Sequence, residues 1–153
     1  MIDFVLPEDD IRANAAIDGM THLSTGVAVI RNGKILVVRR EPGDYLGGSF
    51  ELPGGGVDAG ESLAESVTRE VLEETGLRVS KVVGMFPGFE YTTPVKPKVR
   101  QLNFIVQTEN DEVVLSDEHD TYRWIEADDI DSLATTGPMR DCLKQAFKAA
   151  AEL

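Results

Sequence analysis

Apolar and polar positions fall into blocks along this chain. Val27-Ala28-Val29-Ile30 and Ile35-Leu36-Val37-Val38 are two branched apolar runs on either side of Asn32-Gly33. Asn-Gly between such runs predicts a β-hairpin with a two-residue turn. Arg39-Arg40 close the second strand, and Glu41 to Gly60, rich in Gly and Pro, predicts loop around a short strand from Ser49 to Leu52. A helix follows over about Ser62 to Thr75. Ser62-x-x-Glu65 has the spacing of a capping box, and Gly76-Leu77 fits a left-handed C-cap with its hydrophobic contact.

Further strands are expected over Lys81 to Tyr91, Val99 to Thr108 and Thr121 to Ile125. Prolines in Thr92 to Lys98 exclude a regular ladder between the first two. Asp128 is expected to cap a short helix through Leu133, and Pro138 to start a C-terminal helix reaching about Ala151. Its apolar residues Cys142, Leu143, Ala146, Phe147 and Ala150 are spaced to pack on a sheet, and would equally suit a homodimer interface. Residues 7 to 20 are acidic and unpatterned, which predicts a loop or loosely ordered arm. Strands and helices alternate without repeats, so the expectation is one mixed α/β domain over residues 21–153 behind an N-terminal arm of residues 1–20.

Composition narrows the partners. The 153 residues carry 15 Lys+Arg against 27 Asp+Glu, a formal net charge of −12. No basic surplus exists to displace counterions from a nucleic-acid polymer, and docking on an anionic membrane is equally disfavoured. The single cysteine, Cys142, forms no intramolecular disulfide, and one Cys with two His (His22, His119) makes a poor structural zinc set. The first residues lack the basic start and apolar core of a signal peptide, and no apolar run approaches the ~18–20 residues of a membrane span. A cytoplasmic protein is expected.

The charge matters most where it clusters. On a helical wheel of ~100° per residue with Leu63 at zero, Val67 and Val71 fall at ~40° and ~80°, and Glu70, Glu73 and Glu74 at ~340°, ~280° and ~20°. Three carboxylates thus abut and overlap the edge of the apolar stripe. Like charges at i, i+4 destabilise a helix, and partial burial raises carboxylate pKa values unless something positive sits among them. That positive charge is either an arginine or a divalent cation with oxygen ligands such as Mg²⁺. The plainer alternative is a solvated face with Arg69 paired to Glu73 and Glu65 at i±4. The preceding Pro53-Gly54-Gly55-Gly56 favours a ligand, because a run without side chains lets backbone groups approach one closely.

Gly55, Glu61 and Arg69-Glu70-Val71-Leu72-Glu73-Glu74-Thr75-Gly76-Leu77 fill every fixed position of the pattern Gly-x5-Glu-x7-Arg-Glu-U-x-Glu-Glu-x-Gly-U, with U a bulky aliphatic. The segment therefore resembles the Nudix hydrolase signature. The Phe50-Glu51-Leu52-Pro53-Gly54-Gly55 approach and an acidic loop running into Trp124 also look like the family. The resemblance implies an α/β/α sandwich around a mixed sheet. It also implies Mg²⁺-dependent hydrolysis, with Mn²⁺ as a possible substitute, of nucleoside diphosphates linked to a further group.

By that resemblance Glu70, Glu73 and Glu74 match metal-binding carboxylates, the Gly55–Gly56 carbonyl region a further ligand, and Arg69 the arginine that orients the catalytic helix. Glu118, in Ser116-Asp117-Glu118-His119-Asp120, occupies a region where several members place an extra metal or base carboxylate; an ordinary acidic turn is the other reading. His119 is expected as a loop histidine. Arg40 resembles a phosphate-contacting position, and Arg100 and Lys98 are further candidates for phosphate. Tyr45, Phe50, Phe86, Phe89 and Tyr91 could stack a base, although the commoner place of each is the core. A (deoxy)nucleoside triphosphate is the leading substrate expectation, with ADP-ribose or a nucleotide sugar as alternatives. A non-catalytic nucleotide-sensing module on the same fold is the alternative of another class, and the intact signature argues against it.

Overall fold

Asn32 and Gly33 both adopt left-handed backbone, φ 52° and 75°, the turn geometry that lets two twisted strands pair directly. They join β1 (His22–Arg31) to β2 (Lys34–Arg40), with Arg31 opposite Lys34 and Ile30 opposite Ile35. The computed structural model describes residues 4 to 153; the first three residues of the expected arm lie outside them. The remaining elements are α1 (Glu8–Ile17), β3 (Phe50–Glu51), β4 (Gly54–Gly56), α2 (Leu63–Thr75), β5 (Val79–Tyr91), β6 (Val99–Thr108), β7 (His119–Ile125), a 3-10 turn over Ala127–Ser132, and α3 (Gly137–Ala151).

β1 is the spine of the seven-stranded mixed sheet. It pairs antiparallel with β2 next to the turn, antiparallel with β4 at Ser24 to Gly26, and parallel with β6 from His22 to Val29. Its side chains alternate between two cores, as a strand buried on both faces must. Val27 and Val29 join Leu36, Phe104 and Val106 under Leu63, Val67 and Val71 of α2. Ala28 joins Ile35, Val37, Ile105 and Ile125 under Cys142, Leu143 and Ala146 of α3. This is a three-layer α/β/α arrangement, and α3 packs on the sheet through the face its sequence spacing marks.

Two local expectations need correction. Residues 8 to 17 are helical, not a loop or loosely ordered arm. The cap of the 3-10 turn is Glu126, not Asp128: Glu126 N–H donates to Asp129 Oδ2 at 2.8 Å, and the Asp129 N–H donates to the Glu126 carbonyl at 3.0 Å.

α1 carries no side-chain N-cap of its own, and its stability comes from what it touches. Leu6 and Ile11 pack against the α2-side core. Glu8 Oε1 accepts from the Leu63 N–H at 2.8 Å, Arg12 pairs with Glu8 at 2.7 Å, and Arg12 Nη2 donates to the Glu61 carbonyl at 2.8 Å. Glu8 thus satisfies one of the orphan donors at the start of α2, where the helix dipole also favours a carboxylate, and Ser62 with Glu65 satisfies others through the capping box. Glu8→Ala is expected to lower stability by ~1 kcal/mol, the usual size of a lost cap. Urea unfolding should show a lower midpoint at unchanged slope, and an unmoved midpoint would dismiss the contact.

Candidate active site

The glycine loop and α2 meet through one guanidinium. Arg69 Nε and Nη2 grip both oxygens of Glu61 at 2.6 and 2.9 Å, while Nη2 also donates to the Gly56 carbonyl at 3.0 Å. Nη1 donates to Glu70 Oε1 at 2.8 Å and to Glu73 Oε2 at 3.3 Å. The bidentate hydrogen bonds from Arg69 hold the Glu61 carboxyl down at about 2 and raise the guanidinium further above its ordinary value. Glu65 is not the partner of Arg69, as the i±4 alternative would have it; its carboxylate accepts from the Ser62 N–H at 3.0 Å.

The three glutamates of α2 have different surroundings. Glu70 and Glu74 are buried, whereas the Glu73 side chain is 59% exposed. Glu70 lies against the glycine strand: a Cβ on Gly55 would stand 2.6 Å from its Oε1. Burial raises the Glu70 carboxyl despite the opposing pull of Arg69. Glu74 Oε2 accepts from the Gly54 N–H at 2.9 Å. Desolvation outweighs that hydrogen bond and, with the neighbouring Glu70, Glu118 and Glu51, lifts the Glu74 carboxyl from 4.5 to about 8.

Across from Glu74, an acidic loop and β7 bring in Glu118 and His119. One oxygen from each glutamate and a ring nitrogen of His119 lie within 4.8 Å of one another. Glu118 is exposed, but His119 is buried at 5% exposure, so it is not the loop histidine its sequence setting suggests. His119 Nε2 meets Glu51 Oε2 at 2.9 Å, and Glu51 Oε1 accepts from Arg40 Nε at 2.8 Å. His119 Nδ1 is buried without a partner. Arg40, Asp44, Glu51, Gly54, Glu74, Glu118 and His119 line one cavity of about 170 Å³. Asp44, Glu51 and His119 are the members that sequence reasoning missed, and Glu51 and His119 meet across 68 residues. No local signal pairs them; β2 does, by pairing with β3 on one side and β7 on the other.

The other substrate candidates lie elsewhere. Phe50 is core at 7% exposure, with Arg123 6.0 Å from its ring centroid, so its ring is not presented for stacking. Arg100 is engaged by Asp18 at 2.7 Å and Glu90 at 3.5 Å, and Lys98 Nζ by the Asp18 carbonyl at 3.0 Å. Tyr91 is exposed on β5, its hydroxyl 3.2 Å from Ser24 Oγ. The Gly55 carbonyl faces Thr25 Oγ1 at 3.4 Å.

One oxygen each from buried Glu74 and exposed Glu118, with a ring nitrogen of buried His119, form a set that fits a divalent cation; among the described residues Glu70 and Glu73 fall outside that group. Comparison with known proteins agrees in kind. The family model for the NUDIX domain matches residues 20–146. An ADP-ribose pyrophosphatase of Methanocaldococcus jannaschii is 37% identical over 73 residues, 46% of this chain and 38% of that protein. The asymmetrical bis(5'-nucleosyl)-tetraphosphatase of Rattus norvegicus is 36% identical over 101 residues, 63% of this chain and 68% of the other. A match to an octanoyltransferase of Myxococcus xanthus, 34% identical over 110 residues, takes in 67% of this chain and 30% of that protein. The chain therefore spans about a third of the length of two of these relatives. Among solved structures, the MutT protein of Methanosarcina mazei superposes with a TM-score of 0.65 at 32% identity, covering 83% of this chain and 92% of that one.

Glu74 gives the metal-free protein a pH signature. Its folded value stands above its unfolded one, so the folded state holds the extra proton between them. The stability it contributes is full below about pH 4.5 and is lost as pH rises through about 8. Glu74→Gln abolishes that loss. In chelator, calorimetry should find the variant's Tm above wild type at about pH 8.5 and matching it at about pH 4. An equal difference at both values would contradict the assignment.

Proposed function

The chain belongs to the NUDIX domain family, and on that premise we propose that it hydrolyses the pyrophosphate bond of a nucleoside diphosphate linked to a further phosphorylated group. A (deoxy)nucleoside triphosphate is the leading substrate, and the products are a nucleoside monophosphate and the phosphorylated remainder. The observation that carries this reading is that buried Glu74, held by the Gly54 N–H, shares one cavity with Glu118 and Arg40, while buried Glu70 lies against the neighbouring Gly55.

Glu70, Glu73, Glu74 and Glu118 would hold Mg²⁺ or Mn²⁺, with the Gly55 carbonyl region as a further oxygen donor. Bound there, divalent cations supply charge neutralisation on the phosphates and activation of water. Arg40 holds and orients a phosphate oxygen from the opposite wall. Its guanidinium is kept in place by Glu51, which His119 fixes in turn. Arg69 keeps Glu70 and Glu73 pointed at the loop. Glu118 is exposed at the mouth of the cavity, where it can accept the proton of the attacking water. Water adds to one phosphorus as the bridging P–O bond breaks, and the leaving phosphate keeps that oxygen. The domain division and a cytoplasmic location belong to the same proposal; among the described residues no helix is long and apolar enough to cross a membrane.

Activity should require Mg²⁺ or Mn²⁺ in a phosphate-release panel of nucleoside triphosphates, ADP-ribose and nucleotide sugars. Glu74→Gln and Glu118→Gln are each expected to reduce kcat by ~10²-fold or more in folded protein. Undiminished turnover in both would refute the site.

A further inference from the structure

On the α3 face of the sheet, across β1 from the Gly54 edge of the carboxylate cavity, a niche of rings and amides has no part in the hydrolysis itself. Phe89 of β5 stands directly opposite Gln101 of β6, and Ser24 and Gly26 of β1 are in register with Gln101 and Asn103. Residues in register share a face, and so do residues two apart along a strand. Phe89, Tyr91, Gln101, Asn103, Ser24 and Gly26 therefore face the same way. It is the α3 side, because Asn103 Nδ2 reaches Cys142 Sγ at 3.5 Å. Phe89 and Tyr91 are 45% and 37% exposed, with ring centroids 6.0 Å apart and planes tilted by 43°.

The amides beside these rings have a fixed polarity. Asn103 Nδ2 donates to the Pro87 carbonyl at 2.9 Å, and a carbonyl can only accept. Asn103 must then turn Oδ1 toward Gln101, which must answer with Nε2, at 3.0 Å. Among the described residues Gln101 Oε1 accepts no hydrogen bond, and it is not among the buried atoms left without a partner. Gln101 thus presents an open acceptor, beside the Nε2 hydrogen that Asn103 leaves unused. Gly26 makes room for the pair: a Cβ there would collide with Asn103 Oδ1 and stand 2.6 Å from Gln101 Nε2. Gly26 is also the β1 partner of Gly54, whose N–H holds Glu74. Gly26 thus stands between the amides on β6 and the Gly54 edge of the carboxylate cavity.

We propose that this niche seats the base of the substrate nucleotide and that Gln101, oriented by Asn103, is a specificity-determining residue selecting adenine. The inference rests on the nucleotide-hydrolase reading above. A carboxamide edge offering one donor and one acceptor matches adenine, which sets an N6–H donor beside an N7 acceptor. The corresponding edge of guanine offers two acceptors, so Gln101 Oε1 would face another lone pair. Phe89 and Tyr91 supply an aromatic platform, which holds any base without choosing among them.

The test compares adenosine with purine riboside, which lacks only the N6 amino group, and with guanosine. All three are supplied as 5'-triphosphates and as diphosphoriboses, to wild type and to Gln101→Leu. Wild type should favour adenosine over purine riboside by ~10-fold or more in kcat/KM, the discrimination expected of a bidentate amide contact. Gln101→Leu removes the N7 contact from both and the N6 contact from adenosine alone, so it should lower adenosine the most and leave adenosine and purine riboside equal. Phe89→Leu should raise KM for all three together. Equal wild-type values for adenosine and purine riboside, or an adenosine preference that survives in Gln101→Leu, would overturn the proposal while leaving the hydrolase reading intact. A second arm needs no turnover: AMP should shift the Gln101 side-chain amide resonance through N7 in a titration, and purine riboside monophosphate should do so only at about 10-fold or more higher concentration. That shift without hydrolysis of any member would keep the niche and discard the hydrolase. No shift with either ligand would discard the niche.

Discussion

A single arginine between the glycine loop and α2 fixes the relation on which the site depends. Arg69 contacts Glu61 and the Gly56 carbonyl on one side and Glu70 and Glu73 on the other. Without it the loop and the helix would present their acceptors to each other across an uncompensated concentration of negative charge. With it, five oxygens from two elements share one planar donor fork, and the fork's geometry sets their spacing. Lysine would bring the charge without the fork. The load is uneven: Glu61 is stabilised as an anion, while Glu70 stays raised because burial counts for more than its share of the guanidinium.

Glu74 lies beyond the reach of this clamp, and its main fixed partner is a backbone N–H. Its raised pKa is the expected outcome when a desolvated carboxylate has a dipole for company and carboxylates for neighbours. The net charge of −12 therefore divides into unlike parts. Most of it is a solvated coat, which disfavours polyanionic partners. A small buried part is held where either a proton or a cation relieves it, and a cation there would let the same acidity suit a small phosphorylated substrate.

What was legible in the sequence was what is local. The Asn32-Gly33 turn, the Ser62–Glu65 box, the Gly76 cap and the face of α3 each follow from residues within a few positions of one another. Grouping the three glutamates at the edge of the apolar stripe does not express the difference between them. Glu73, at ~280°, is farthest from the apolar stripe, and it is the exposed one. α1 was not legible because its determinants are remote: Glu8 meets Leu63 across 55 positions, and nothing within the acidic segment indicates that its carboxylate has a backbone amide to cap. His119 and Glu51 were hidden for the same reason. Phe50, an aromatic beside the glycine loop, suited stacking or packing equally on paper, and strand alternation turned it into the core.

The two halves of the site are set by backbone pairing more than by side chains. β4 is three glycines, and two of them are needed: a Cβ on Gly54 would collide with the Thr25 carbonyl of β1, and one on Gly55 with the Glu70 side chain of α2. The same pairing sets Gly54 beside Gly26, where a second absence of side chain admits the Gln101–Asn103 amides. Carboxylates on one side and amides on the other are thus registered through a ladder whose strand spacing is fixed at ~4.8 Å. A substitution at Gly26 or Gly54 would disturb both halves at once, whereas one at Gln101 or Glu74 acts on its own half. Chemistry and selectivity can vary independently on this frame so long as the glycine pair between them stays bare.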